Sequence, residues 1–133
     1  MNDSSKDILK ELLRNIKNIA IVGASSNPER DSFKVMKFLL EQGYKIFPVN
    51  PNETNILGRK CYPCLSSIKE RIDMVDIFRA KEFILDISKE AIEINANVIW
   101  MQEGIIDHKS ASLAKRNGLM VVMDKCPKKV IES

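Results

Sequence analysis

No stretch of this 133-residue chain is apolar for more than a handful of residues. That excludes a transmembrane helix, which needs about 20. Aromatic residues make up only 6% of the chain, too few for a base-stacking platform that would hold single-stranded nucleic acid. There is one histidine, and the three cysteines are an odd number. The opening MNDSSKDILKELL carries charge from the start and has no apolar leader segment. Together these argue against a secreted disulfide scaffold and for a reducing cytoplasm. Neither sign of charge dominates, with 21 Lys and Arg against 18 Asp and Glu, net +3. So small an excess does not support DNA binding, though it suits an anionic small molecule. Glycine and proline are scattered, and no repeat stands out. What is present, 44% apolar and 29% charged residues, is the balance of one soluble domain over 1–133. Residues 1–17 read as a lead-in helix and 18–129 as the core.

The patterning alternates two periods. Ile8, Leu9, Leu12, Leu13 and Ile16 fall on one helical face, with Ser4 and Asp7 as a capping box. Ile19–Val22, ended by Gly23, is apolar on both faces, as a central parallel strand requires. Phe33, Val35, Met36, Leu39 and Leu40 predict a helix closed by Gly43. Residues 45–49 form a second strand, whose Pro48 cannot donate to a ladder on one side. Residues 50–71 read as loop with a short helix opened by Ser67 and Glu70. Residues 74–78 form a third strand, followed by a helix with Phe83, Ile84, Ile87, Ala91 and Ile94 facing the core. Residues 98–101 form a fourth strand, then comes a helix over 109–117, and 119–123 form a fifth. This alternation predicts an α/β fold: a Rossmann-like, doubly wound parallel sheet of about five strands with helices on both faces. Two strand orders fit, 3-2-1-4-5 and 2-1-3-4-5, and the first is expected. In either, ligands meet the carboxyl ends of the strands.

After the first strand stands Gly23-Ala24-Ser25-Ser26-Asn27-Pro28-Glu29-Arg30-Asp31-Ser32. A glycine here allows close approach of a ligand, a helix N-terminus attracts phosphate, and Arg30 can fork onto phosphate oxygens. Yet the loop is neither G-x-G-x-x-G, since Ser25 and Ser26 replace glycines, nor a Walker loop. After the second strand, Asn50-Pro51-Asn52 lacks the acid that holds the ribose of NAD, and Glu53 lies past the turn. Arg79 and Lys81 add cations after the third strand. A rim with cations and no opposing acid is the expectation.

Cys61-Tyr62-Pro63-Cys64 matches C-x-x-C, so a thiol-redox protein or a nucleotide-dependent oxidoreductase is the alternative function. The pair, however, lies in a loop and not at a helix start after a strand. Cys61, Cys64, Cys126 and His108 would count as four zinc ligands, but no second paired spacing supports a metal site. Cys126-Pro127 follows the last strand at the ligand rim. His108 reads as a helix-start residue, Trp100 as core, and Asp76, inside a strand, as a carboxyl that binds backbone groups. No acid/base pair or nucleophile can be assembled, so no catalytic residue is assigned.

Six segments in order, IAIVGASSNPERDS (19–32), YKIFPVNPN (44–52), ILGRKCYPCL (56–65), MVDIFR (74–79), NVIWMQEGI (97–105) and VVMDKCPK (121–128), resemble the stand-alone CoA-binding domain family. That Rossmann-like family is related to the CoA-binding domain of succinyl-CoA synthetase α-subunits and of ADP-forming acyl-CoA synthetases. Cys64 departs from the serine of many relatives. The resemblance implies coenzyme A or acyl-CoA as ligand and no ligation by this chain alone. It implies that Gly23, Ala24, Ser25 and Arg30 hold the pyrophosphate and 3′-phosphate region, with Pro28 in the same loop and Ser32 at the helix start. Asn50 and Pro51 would shape the adenosine side. Phe78, Arg79, Met101 and Gln102 would line the pantetheine path, with Gly104 turning the chain. A homodimer or a partner subunit is compatible with such a module.

Overall fold

The computed structural model describes residues 3–133, with side chains from Lys6 onward. The Ser4 and Asp7 capping pair therefore rests on a side chain outside the described residues. Five short apolar runs become the parallel strands β1 (Asn18–Val22), β2 (Lys45–Val49), β5 (Met74–Ile77), β6 (Val98–Met101) and β7 (Met120–Val122). Five helices follow the 3.6-residue pattern: α1 (Asp3–Arg14), α2 (Asp31–Glu41), α3 (Ile84–Glu93), α4 (His108–Arg116) and α5 (Pro127–Glu132). Among the described residues no helix is long and apolar enough to cross a membrane.

Alternation along each strand divides the core into two layers. Ile19, Ile21, Ile46, Met74, Val98 and Trp100 face α1, α2 and α5, where Leu13, Met36, Leu39 and Val130 pack on them. Ala20, Phe47, Val49, Val75, Ile77, Ile99 and Met101 face the other way, against Leu65, Ile68, Ile84, Ala91 and Ala114. Ile8, expected on the inner face of α1, is 63% exposed.

The strand order is β2-β1-β5-β6-β7, which is 2-1-3-4-5 for the five principal strands and not the expected 3-2-1-4-5. Pro48 supplies a reason. An interior strand needs donors on both edges, whereas β2 at the sheet edge can turn the proline's missing N–H outward. There the Pro48 carbonyl accepts the Tyr62 N–H at 2.9 Å, and Asn50 N–H donates back to the Tyr62 carbonyl at 2.9 Å.

Residues 50–71 hold more structure than expected. β3 (Asn55–Ile56) and β4 (Arg59–Lys60) pair antiparallel across Leu57-Gly58, both with positive φ, 51° and 77°. Such a pair of left-handed residues makes a two-residue hairpin turn that matches strand twist. No helix starts at Ser67. A single 3₁₀ turn, Leu65–Ser67, ends there, and Ser67 Oγ donates back to the Cys64 carbonyl at 2.7 Å.

Asp76 pairs in register with Ile21 and Trp100 on the α2/α5 side of the sheet, fully buried. Among the described residues neither carboxylate oxygen has a hydrogen-bond partner, so the expected backbone contacts are not made. Burial pushes its pKa well above the ordinary carboxylate range, because desolvation disfavours the charged form.

Candidate functional site

The carboxyl ends of β1, β2 and β5 surround a cavity of about 790 Å³. Gly23, Ala24, Ser25, Arg30, Ser32, Asn50, Pro51, Phe78 and Arg79 line it, and Pro28 does not. Phe78 and Arg79 also border a second groove of about 550 Å³, which includes Gln102, Ile105 and Cys126. Asp31, Phe78 and Arg79 line both spaces. Met101 is buried within the sheet and lines neither space. Gly104 lines neither as well, and its N–H donates to Asp124 Oδ1 at 2.7 Å.

Gly23 has φ +90°, and a Cβ added there would stand 2.4 Å from the Phe78 carbonyl oxygen. The glycine therefore serves the packing of one rim segment against another, whereas the sequence suggested close approach to a ligand. The Phe78 N–H extends the same junction by donating to Val22 O at 2.8 Å.

Most of the loop's amides are engaged within the protein. Gly23 and Ala24 donate to Val49 O, and Ser26 donates to Glu53 Oε2. Asn27 donates to Ser25 Oγ, Glu29 to Asn27 Oδ1, and Arg30 to Asn27 O. Among the described residues the Ser25 N–H has no acceptor, and neither do the first-turn amides of α2 at Asp31 and Ser32. Free amides at a helix start, with the positive end of the helix dipole behind them, favour an anion.

Arg30, the residue that caps α2 with extended backbone, is exposed and makes no ion pair among the described residues. Arg79 lies with its guanidinium 4.1 Å from the Phe83 ring centroid. Phe83 is thus 40% exposed beside the site, not on the core face where helical spacing put it. Its role as a platform for Arg79 needed the 3₁₀ turn Lys81–Phe83 that precedes α3, which the periodicity does not reveal.

The expectation of no opposing acid is overturned, because Glu29, Asp31 and Glu90 also line the cavity. Glu90 Oε2 accepts the Ser66 N–H at 3.2 Å, which ties it to the far wall. Asn50 Nδ2 donates to Ala24 O at 2.7 Å, so the side chain after β2 holds the first loop.

The cysteines divide. Cys61 is buried, its Sγ 3.5 Å from Asn50 O, and desolvation raises its pKa above the ordinary thiol value. Its thiolate is therefore scarce, the opposite of what a C-x-x-C redox centre needs. Cys64 is half-buried and lines the cavity beside Pro63. Among the described residues no three His, Cys, Asp or Glu side chains converge as metal ligands.

The chain resembles known proteins over nearly its whole length. The family described as CoA binding domain matches residues 17–132. The chain is 38% identical to the protein YneT of Bacillus subtilis over 96% of this chain and 95% of that one. It is 29% identical to the ADP-forming acetate–CoA ligase II of Archaeoglobus fulgidus, covering 79% of this chain but only 17% of the ligase. A solved structure from Pyrococcus horikoshii superposes with a TM-score of 0.93 at 38% identity, over 96% of this chain and 89% of that one. With nearly its whole length matched by the family and its five-stranded parallel sheet shared with that neighbour, the chain belongs to the CoA-binding domain family.

Proposed function

We propose that this protein binds coenzyme A or an acyl-CoA without transforming it, as one domain in a reducing cytoplasm. The ligand's phosphates lie against Ser25, the first turn of α2, Arg30 and Arg79. The adenosine rests on the Asn50-Pro51 side, and the pantetheine arm crosses Phe78 and Arg79 toward Gln102.

One observation carries this reading. A seat for an anion shares Asp31, Phe78 and Arg79 with a second groove, so the two spaces together suit a long ligand with phosphates at one end. Coenzyme A brings roughly four negative charges at neutral pH, counting a 3′-phosphate and a diphosphate. The two arginines and the helix dipole attract them, and the three wall carboxylates restrict where the phosphates lie.

Calorimetric titration and thermal shift with coenzyme A, dephospho-CoA and NAD test the proposal. Coenzyme A at a hundred times its Kd should stabilise the protein by about 2.7 kcal/mol. Equal stabilisation by NAD, or none by coenzyme A, refutes it.

A further inference from the structure

The acid after β2, which would read a ribose in an NAD-binding domain, is not missing from this protein; it is turned aside. Asn50 accepts the Asn52 N–H on its side chain at 2.8 Å and the Glu53 N–H on its carbonyl at 3.3 Å. This tight turn brings Glu53 back over the first loop. There Glu53 Oε2 accepts both the amide N–H and the hydroxyl of Ser26, each at 2.9 Å. Glu53 is half-buried and is absent from the lining of the nucleotide cavity, although Asn50, Pro51 and Asn52 all line it.

We propose that Ser26 clamps Glu53 away from the nucleotide groove, and that this clamp makes the protein prefer a ribose carrying a phosphate over one without it. The inference rests on the coenzyme A reading for its ligand. Both of Ser26's donors converge on a single carboxylate oxygen, so one residue holds the charge, and only a substitution that removes both the hydroxyl and the amide N–H, Ser26→Pro, sets it free. A released carboxylate about 7 Å from a ribose phosphate of charge near −2 would weaken that ligand about sevenfold in a water-like dielectric. A ligand lacking this phosphate feels much less repulsion and gains a hydrogen-bond acceptor for its ribose hydroxyls.

The test compares Kd for coenzyme A and dephospho-CoA in wild type, Ser26→Pro and the double variant Ser26→Pro/Glu53→Gln, at low salt. Ser26→Pro, which removes both donors, should cut the preference for coenzyme A about fivefold, mainly by weakening coenzyme A, and the double variant should restore it. A preference unchanged within twofold in Ser26→Pro, or not restored in the double variant, overturns the clamp. Hydrogen exchange of the Ser26 amide in ligand-free protein gives a second reading. The amide should be protected in wild type and lose protection in Glu53→Ala; equal exchange in both overturns the clamp whatever the protein binds. Wild-type protein that binds neither nucleotide refutes the coenzyme A reading, and the exchange measurement then decides the clamp alone.

Discussion

Replacing Gly23 by alanine separates two effects that glycine substitutions usually confound. The first is conformational, since φ +90° is a region that an L side chain enters at roughly 1–2 kcal/mol. The second is steric. The new Cβ would sit 2.4 Å from the Phe78 carbonyl oxygen and 3.0 Å from Arg79 Cδ. The arginine's side chain can move, but the carbonyl belongs to the backbone as it leaves β5, where the Phe78 N–H is bonded to Val22. Forcing such a junction apart costs about 1–3 kcal/mol. Gly23→Ala should therefore lose about 2–5 kcal/mol in urea unfolding, a large part of the roughly 5–15 kcal/mol typical of a domain. Gly43→Ala is the control, because Gly43 has φ +97° and a Cβ added there would meet nothing within 4 Å. It should lose only the conformational part, about 1–2 kcal/mol. Equal losses at the two positions, measured from transition midpoints at constant m, would refute the claim that the carbonyl contact demands glycine.

Asp76→Asn tests the buried carboxyl through pH. The folded-state pKa lies above the unfolded one, so wild-type stability is fully present below the unfolded pKa and declines as pH rises toward the folded value. The variant's Tm relative to wild type should accordingly climb as pH rises above the ordinary carboxylate range, and a flat difference contradicts the raised pKa. Arg30→Ala and Arg79→Ala should each weaken coenzyme A by about 1–3 kcal/mol in titration calorimetry, as for a charge-assisted contact; unchanged affinity removes that arginine from the site. Alkylation followed by peptide mass mapping should find Cys64 reacting much faster than buried Cys61 and Cys126, and slowed by coenzyme A. Cys61 reacting as fast as Cys64 would contradict the burial that raises its pKa.

The site was legible in part, and the divide follows the range of the interactions involved. Gly23, Arg30, Ser32, Asn50 and Phe78 could be named because each stands just past a strand or at a helix start, positions that local pattern locates. Phe83 and the three cavity carboxylates could not. Helical spacing put Phe83 inward, but the 3₁₀ turn before α3 rotates it out beneath Arg79. Glu90 reaches the cavity from α3, far along the chain from the loops it faces. The hairpin at 55–60 escaped because Leu57 carries a positive φ without being glycine or asparagine, so only its partner Gly58 signalled the turn.

Local chemistry alone determined the elements: apolar runs of four or five residues had to be covered strands, and amphipathic stretches between them had to supply the cover. It could not choose the strand order, because both windings bury the same residues; the edge position that tolerates Pro48 became visible only once Tyr62 was seen paired with it. Nor could it tell where an acid points. Glu53 lies near a ribose-reading position in the chain, and only the fold, which brings Ser26 across 27 residues of sequence, turns its charge onto a hydroxyl and an amide.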